Sequence, residues 1–341
     1  MNYSLLAETA QQIVADGRGI LAADESTPTI KKRFDSIQVE STELMRNTYR
    51  DMLFTSPEME KYISGVIMYD ETLRQSDISD GTPFPELLSE KGVLPGIKVD
   101  MGAKPLAGFN NEKVTEGLDG LRERLSEYGQ LGARFAKWRA VITIGSEMPS
   151  STCIYVNAHA LARYASLCQE ADIVPIVEPE VLMDGKHDID TCFTVTEETL
   201  QSVFQELFSQ GVFLEGIILK PNMILSALNC PEQASVEEVA EATLECFSRT
   251  VPAAVPGICF LSGGQSDVLA TQHLNAMNDI ATTLPWKMSF SYGRALQAPA
   301  LKAWGGMDEN LNAGQKAFLN RARLNRAAAM GNYSDKMETG S

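Results

Sequence analysis

The chain has 341 residues, of which 44% are hydrophobic and 22% charged, and its 45 acidic and 29 basic residues give a formal net charge of −16. This composition is typical of a globular protein, and so acidic a surface argues against nucleic acid and anionic membranes as partners. Because no apolar run approaches the roughly 18 residues of a membrane span and the first residues lack a secretory signal, we expect a cytoplasmic protein.

Eight short apolar runs alternate with longer amphipathic segments. They cover residues 19–23, 63–68, 95–99, 134–138, 173–177, 216–219, 257–261 and 288–292. Strand-length runs that alternate with helical patterns are typical of a parallel sheet, and eight of them favour closure into a barrel. The sequence therefore predicts an α/β protein with a single (β/α)8 TIM barrel, and we assign residues 1–330 to it as one catalytic domain.

Two segments between the runs have clear helical features, whereas the end of the chain has none. In residues 196–209 the apolar side chains fall at 200, 203, 204, 207 and 208, which is the spacing of one helix face. Ser235 precedes a second such segment, with acidic residues in its first turn. Residues 331–341 are polar and lack apolar periodicity, which predicts a mobile C-terminal tail.

Charged or glycine-rich residues stand at the end of every run. In chain order they are Asp24; Asp70 and Glu71; Lys98 and Asp100; Lys137 and Arg139; Glu178 and Glu180; Lys220; Ser262, Gly263 and Gly264; and Gly293 and Arg294. A single charge after a strand is ordinary for a loop, but barrel enzymes draw their chemistry from several strand ends at this face. Eight in succession favour an active site.

Lys220 directly follows the run Gly-Ile-Ile-Leu. Burial there and a second cation such as Lys137 would disfavour the charged form of its amine. A neutral amine is what imine formation with a carbonyl group requires. Taken alone, Lys220 also fits a lysine that extends to solvent at the barrel rim.

Glu178 and Glu180 are two residues apart at the end of the fifth run. In an extended strand such residues point to the same side, and two adjacent carboxylates near lysines can act as acid and base. Two exposed loop acids around a proline are the alternative for this pair.

Two groups of residues are suited to anions. The turn Ser262-Gly263-Gly264 leaves backbone N–H groups accessible, and Arg294 after the last run can bind a phosphate bidentately. Barrel enzymes often hold phosphate in the loops after strands seven and eight. Lys32 and Arg33, beyond the first run, provide a second basic group across the barrel mouth. The alternative for the first group is an ordinary tight turn, and the alternative for Lys32 and Arg33 is a solvated helix face.

A metal centre is not expected. The three histidines are separated and the six cysteines are scattered without a CxxC pair, which indicates reduced thiols rather than ligands. We therefore expect no metal and no cofactor.

Seven segments in chain order resemble the motifs of class I fructose-1,6-bisphosphate aldolase. They are GILAADES (19–26), GIKVD (96–100), AKWR (136–139), VEPE (177–180), LKPNM (219–223), LSGGQS (261–266) and SFSYGRAL (289–296). The resemblance extends from about residue 5 to about residue 330. It implies reversible, metal-independent cleavage of fructose 1,6-bisphosphate to dihydroxyacetone phosphate and glyceraldehyde 3-phosphate in glycolysis and gluconeogenesis, by a homotetramer that acts on phosphorylated sugars.

The resemblance also implies roles for individual residues. Lys220 would form the Schiff base, Glu178 would transfer protons during imine formation, and Asp24 would accept the C4 hydroxyl proton with help from Lys137 and Glu180. The phosphate of the dihydroxyacetone phosphate half would be held by Ser262, Gly263, Gly264, Ser291, Gly293 and Arg294. The other phosphate or the sugar hydroxyls would contact Arg33, Ser26, Thr29, Lys98 and Arg139.

Two other functions fit a barrel of this kind. One is a different Schiff-base enzyme, such as a transaldolase-like lyase, and the other is a barrel kept as a scaffold. The two predicted phosphate-binding groups and the VEPE segment disfavour the transaldolase-like enzyme. The presence of Lys220, Glu178 and Asp24 disfavours the scaffold. In many members of the family a terminal tyrosine reaches back to the active site, whereas here Tyr333 precedes eight further residues, so its role stays open.

Overall fold

In the computed structural model, which describes residues 1–280 and 283–339, eight parallel strands close into a barrel. Each strand pairs with its neighbours in the chain, and the last pairs with the first. The (β/α)8 barrel predicted from the apolar runs is thus confirmed. The strands are β1 Gly19–Ala23, β2 Ile63–Met68, β3 Leu94–Lys98, β4 Phe135–Ile142, β5 Val174–Val181, β6 Ile218–Leu219, β7 Gly257–Phe260 and β8 Lys287–Tyr292.

Strands β4 and β5 are longer than the apolar runs that predicted them. Residues Arg139, Glu178 and Glu180 therefore lie inside strands and not in the loops that follow. The backbone pairing of β4 with β5 continues through this part, with Arg139 opposite Glu178. Charged residues are tolerated there because they pair with one another, as Arg139 does with Glu180.

Two further details were not predicted. Strand β6 has only two residues, although its apolar run spans 216–219. An antiparallel hairpin formed by Ala103–Pro105 and Lys113–Thr115 lies between β3 and β4.

Helices surround the barrel. They are α1 Tyr3–Ile13, α2 Thr27–Asp35, α3 Glu43–Phe54, α4 Asp70–Leu73, α5 Phe84–Glu90, α6 Leu121–Gln130, α7 Ser151–Glu170, α8 Ile189–Ser209, α9 Val236–Thr250, α10 Asp267–Ile280, α11 Arg294–Trp304 and α12 Leu311–Ala329. Both helical predictions hold, since α8 contains 196–209 and Ser235 forms a capping box with Glu238 at the start of α9. Within the described residues no helix is long and apolar enough to cross a bilayer.

Helix α1 closes the amino end of the barrel. Its residues Leu6 and Ile13 belong to a buried cluster that includes Ile176 and other inward side chains of the strands. Val14, which follows α1, approaches the start of β7 so closely that a Cβ at Gly257 would lie 2.4 Å from it. Apolar packing therefore fills the amino end, and the polar interior lies toward the carboxyl ends of the strands.

Residues 331–339 lie against α10 and α12. The backbone N–H of Tyr333 donates to Asn275 at 2.8 Å, and its hydroxyl donates to Glu338 at 2.8 Å. Glu338 also accepts two hydrogen bonds of 2.7 Å from the buried Arg321. These contacts do not measure motion, so the predicted mobility of 331–341 stays a prediction, and residues 340 and 341 lie outside the described residues.

Candidate active site

Four charged side chains from different strands meet inside the barrel, and we call them the ion cluster: Asp24, Lys137, Glu178 and Lys220. The Lys220 amine lies 3.3 Å from one carboxylate oxygen of Glu178, and the Lys137 amine lies 3.3 Å from the other. Lys137 also contacts Asp24 at 2.8 Å. Lys137, Glu178 and Lys220 are each no more than 4% exposed, so these interactions occur largely out of water.

The four residues of the ion cluster come from four separate segments of the chain. Asp24 follows β1 directly and Lys220 follows β6, so each side chain lies at the carboxyl end of a buried strand. Lys137 and Glu178 come from the interiors of β4 and β5. Four positions far apart in the chain thereby reach one point of the barrel.

The charges of the ion cluster fix each other. Burial raises the pKa of Asp24, but the cations of Lys137 and Lys220 outweigh it and hold that pKa well below its usual range. Burial lowers the pKa of Lys137, and the carboxylates of Asp24 and Glu178 outweigh it and raise that pKa. At neutral pH Asp24 is therefore a carboxylate and Lys137 an ammonium ion.

A second set of charges lies next to the ion cluster. Glu180 pairs with Arg139, whose backbone N–H donates to Asp100 at 3.2 Å. Asp100 also pairs with Lys98 at 2.8 Å. Glu178 and Glu180 thus bind different cations, and only Glu178 contacts the two lysines of the ion cluster.

Three of the residues predicted to hold a phosphate, Ser262, Gly263 and Gly264, form a turn that begins two residues after the end of β7, and we call it the phosphate turn. Its two glycines have backbone φ angles of 58° and 99°, which residues other than glycine rarely adopt. A Cβ at Gly264 would lie 3.2 Å from the guanidinium of Arg294, so the turn and this arginine face one another. The buried hydroxyl of Ser291 has no protein partner among the described residues.

Arg33 lies beside Arg294. Both line one cavity of about 280 Å³ between α2, α3 and α11. Burial lowers the pKa of Arg33, Glu25 opposes this, and the charge of Arg294 adds to it. The two basic groups expected on opposite sides of the mouth are therefore adjacent, because α2 folds back toward α11, and the phosphate that Arg33 contacts stays a prediction.

Ser26 and Thr29 lie at the start of α2, where their hydroxyls are 3.1 Å apart. Neither side chain is deeply buried, and the backbone N–H groups of Thr29 and Ile30 donate to the Ser26 carbonyl. Lys98 is close enough to Asp24 to contribute to the low pKa of that carboxyl. Ser26, Thr29 and Lys98 thus stay predicted contacts for the second end of the substrate.

Comparison with known proteins shows the family to which the chain belongs. Residues 5–341 match the family model described as fructose-bisphosphate aldolase class-I. The chain belongs to that family. A probable fructose-bisphosphate aldolase class 1 of Xanthomonas campestris pv. campestris is 58% identical over 98% of this chain and 99% of its own length. Fructose-bisphosphate aldolase B of Gallus gallus is 52% identical over 98% of this chain and 92% of its own.

A solved structure shares the whole architecture. The fructose-bisphosphate aldolase of Plasmodium falciparum, in complex with TRAP and a small molecule inhibitor, superposes with a TM-score of 0.96 at 47% identity. The match covers 97% of this chain and 96% of that one. The barrel is therefore the aldolase barrel over nearly its full length.

Sequence reasoning missed a buried polar network behind the two arginines of this aldolase. Glu25 pairs with Arg50 at 2.7 Å and accepts a hydrogen bond from Gln297 at 3.1 Å. Gln297 also accepts from the Tyr49 hydroxyl at 3.1 Å and donates to the backbone of β1. Because Glu25 directly follows Asp24 at the end of β1, its part in the site could have been predicted from the sequence. Nothing in the sequence indicates that Arg50 is its partner.

Within residues 1–280 and 283–339, no three His, Cys, Asp or Glu side chains come together as a metal site would require. The metal-independent reaction stays a prediction, which chelation tests.

Proposed function

We propose that this protein is a class I fructose-bisphosphate aldolase that cleaves fructose 1,6-bisphosphate reversibly through a Schiff base on Lys220. The observation that carries the proposal is the buried Lys220 amine 3.3 Å from Glu178, which itself contacts Lys137. The names of relatives at 52–58% identity support the substrate. A cytoplasmic homotetramer that acts on phosphorylated sugars in glycolysis and gluconeogenesis is part of the same proposal.

The first step joins the Lys220 amine to C2 of the open-chain ketose. The nitrogen attacks the carbonyl carbon and forms a carbinolamine, whose hydroxyl leaves as water once it is protonated. Glu178 lies within reach of the nitrogen and can carry the proton from the attacking amine to the departing hydroxyl. Its second oxygen faces Lys137, which keeps the carboxylate oriented.

The second step breaks the bond between C3 and C4. Asp24, held as a carboxylate by Lys137, accepts the proton of the C4 hydroxyl. The electron pair of the C3–C4 bond moves into the protonated imine, which becomes an enamine, and C4 becomes the aldehyde of glyceraldehyde 3-phosphate. No oxidant or reductant is needed.

The last step reverses the first. The enamine takes a proton at C3, water adds to the resulting imine, and dihydroxyacetone phosphate leaves with Lys220 regenerated. The phosphate turn with Ser291, Gly293 and Arg294 provides the anchor for the phosphate of this product. An anchored phosphate keeps C2 aligned with the amine throughout the cycle.

Borohydride trapping tests the proposal. Reduction in the presence of dihydroxyacetone phosphate should inactivate the enzyme and leave one adduct, found by mass spectrometry on the peptide with LKPNM. Lys220→Met should abolish the adduct, whereas Lys287→Met, an exposed lysine paired with Asp16, should not. An adduct on Lys137 or Lys98 would contradict the assignment.

Two further measurements separate the alternatives. Cleavage of fructose 1,6-bisphosphate should survive EDTA, and a loss restored by zinc would overturn the imine mechanism. An adduct on Lys220 without cleavage of the bisphosphate would favour another Schiff-base lyase, such as a transaldolase-like enzyme.

A further inference from the structure

The phosphate turn is poorly fixed by its own backbone. Two consecutive glycines give Gly263 and Gly264 a wide choice of φ and ψ. Inside the turn a hydrogen bond of 3.0 Å runs from the Gln265 N–H to the Ser262 carbonyl. N–H groups that bind an anion well must already point at it, so the turn requires support from neighbouring residues.

Gln265, the residue after the turn, has a buried side chain with two partners. Its Oε1 lies 2.6 Å from Nδ1 of His273, and its Nε2 lies 3.6 Å from the sulfur of Met223. Because a thioether only accepts hydrogen bonds, the amide NH2 faces the sulfur and the amide oxygen faces the imidazole. His273 therefore donates from Nδ1.

The partner on the helix side is rigidly held. His273 lies in the second turn of α10 and is 2% exposed. Burial lowers its pKa to about 4, so the ring is neutral at physiological pH and carries one proton to donate. Opposite on α10, Thr271 binds Asn325 and Arg321 of α12, which fixes the helix against its neighbour.

The partner on the other side belongs to the loop that begins with the nucleophile. Met223 lies three residues after Lys220 and is buried. The same loop also accepts a hydrogen bond at Pro221 from the N–H of Leu261, the residue before the phosphate turn. Gln265 thus bridges α10 and the loop of Lys220, and its side-chain hydrogen bonds do not involve the ion cluster.

We propose that Gln265 and His273 are positioning residues for the phosphate end of the substrate, which they serve by holding the phosphate turn at a fixed place relative to Lys220. This inference rests on the proposed function, because it takes the turn to be the phosphate site. The residues do not touch the reacting atoms, and their effect is on phosphate affinity rather than on the chemical step.

A matched pair of substitutions tests the inference. Gln265→Met keeps the size of the side chain but removes the acceptor for His273. Gln169→Met makes the same change at a fully buried glutamine. The Gln169 side chain forms hydrogen bonds with the backbone of Phe213 and Gly216, in the segment that precedes β6. Both variants lose buried hydrogen bonds and should lose thermal stability, so stability alone does not distinguish them.

Phosphate binding does distinguish them. In calorimetric titration, Gln265→Met should bind inorganic phosphate roughly five- to twentyfold more weakly than the parent. Its KM for fructose 1,6-bisphosphate should rise by a similar factor, while its kcat stays within about twofold of the parent value. Gln169→Met should match the parent in both measurements. Equal phosphate affinity in the two variants would overturn the inference.

A double-mutant cycle adds a test of the pair. His273→Leu should weaken phosphate binding as Gln265→Met does, and the double variant should be no weaker than either one, since both act through one bond. Replacing both partners should also recover stability relative to the single variants. Additive losses would contradict a joint action. If the parent binds phosphate but does not cleave the bisphosphate, the proposed function fails and the positioning result still stands.

Discussion

The ion cluster and the phosphate turn lie in the same barrel but are built in opposite ways. In the ion cluster Lys137 and Glu178 lie inside the long strands β4 and β5, and each of the four side chains contacts a partner within the cluster. The phosphate end combines the two glycines of the phosphate turn with Ser291 and Arg294; among the described residues the buried Ser291 hydroxyl has no hydrogen-bond partner and Arg294 has no ion-pair partner.

This difference matches what each region does in the proposed reaction. Proton transfers require groups whose charge state and distance are set before the substrate arrives, and mutual pairing achieves that. An anion site has to leave donors free, because donors that are already paired would have to be released on binding. Substitutions in the ion cluster should therefore act mainly on kcat, and those at the phosphate end mainly on KM.

The largest effect is expected for Lys137→Met. Without this cation, Asp24 and Glu178 lose their shared partner, and kcat should fall roughly a hundred- to thousandfold. Because Lys137 lowers the pKa of Asp24, that pKa should rise in the variant, and the acid limb of the kcat/KM profile should move to higher pH. Steady-state assays across pH check both the fall in kcat and the shift of the profile, with the exposed Lys287→Met as the control. A parental kcat in the variant would contradict the role of the ion cluster.

Arg294→Ala should act next most strongly. Loss of one charge-assisted phosphate contact costs about 1.5–3 kcal/mol, or roughly ten- to a hundredfold in kcat/KM. The loss should be similar for fructose 1,6-bisphosphate and fructose 1-phosphate, since both carry the C1 phosphate. Lys302→Ala, which removes the same charge from the same cavity wall, should have little effect. A loss confined to the bisphosphate would move Arg294 to the other phosphate.

Arg33→Ala should have a smaller effect, mainly on the bisphosphate, at roughly tenfold in kcat/KM. The side chain is only partly exposed beside Arg294, so this prediction separates two assignments. Equal losses for the bisphosphate and fructose 1-phosphate would place Arg33 with Arg294 at the C1 phosphate. Lys32→Ala, on the exposed face of the same helix, provides the control for charge.

The smallest effect concerns the C-terminal tail. Glu338→Gln should weaken the contact with the buried Arg321 and lower the melting temperature by a few degrees, about 2–4 °C per kcal/mol lost. Borohydride trapping at Lys220 should be unchanged. Asp335→Asn, whose partner Gln272 is more exposed, should shift the melting temperature less. A fall in turnover on deleting residues 331–341 would show instead that the tail takes part in catalysis.

Much of the barrel could be predicted because its signals are local. Each of the eight apolar runs became a strand, and a buried strand followed by a charged residue was enough to find Asp24 and Lys220. The ends of β4 and β5 were less predictable. From the sequence, Arg139 and Glu180 were expected in the loops after the strands. In the structure they lie inside β4 and β5, where their side chains form an ion pair between the two strands.

Contacts that depend on how helices fold back were beyond the sequence. Arg33 and Arg294 are distant in the chain, and only the packing of α2 near α11 places them on one cavity. The bond between Gln265 and His273 was equally hidden, since a polar residue in a helix gives no sign of the direction it faces. Helix periodicity predicts the buried face, but it does not predict a buried polar partner.

We also expect closure of the barrel between its first and last strands to set the point at which a newly made chain becomes active. Ser289 of β8 and Arg18 before β1 share a hydrogen bond although they are 271 positions apart in the chain. Contacts of such long range are formed late in folding, and synthesis delivers β8 after all the other strands. Lys220, the proposed nucleophile, precedes Arg294 by 74 positions in the chain. A nascent chain therefore contains its nucleophile before its phosphate-binding arginine, and we expect it to stay inactive until the last strand completes the barrel.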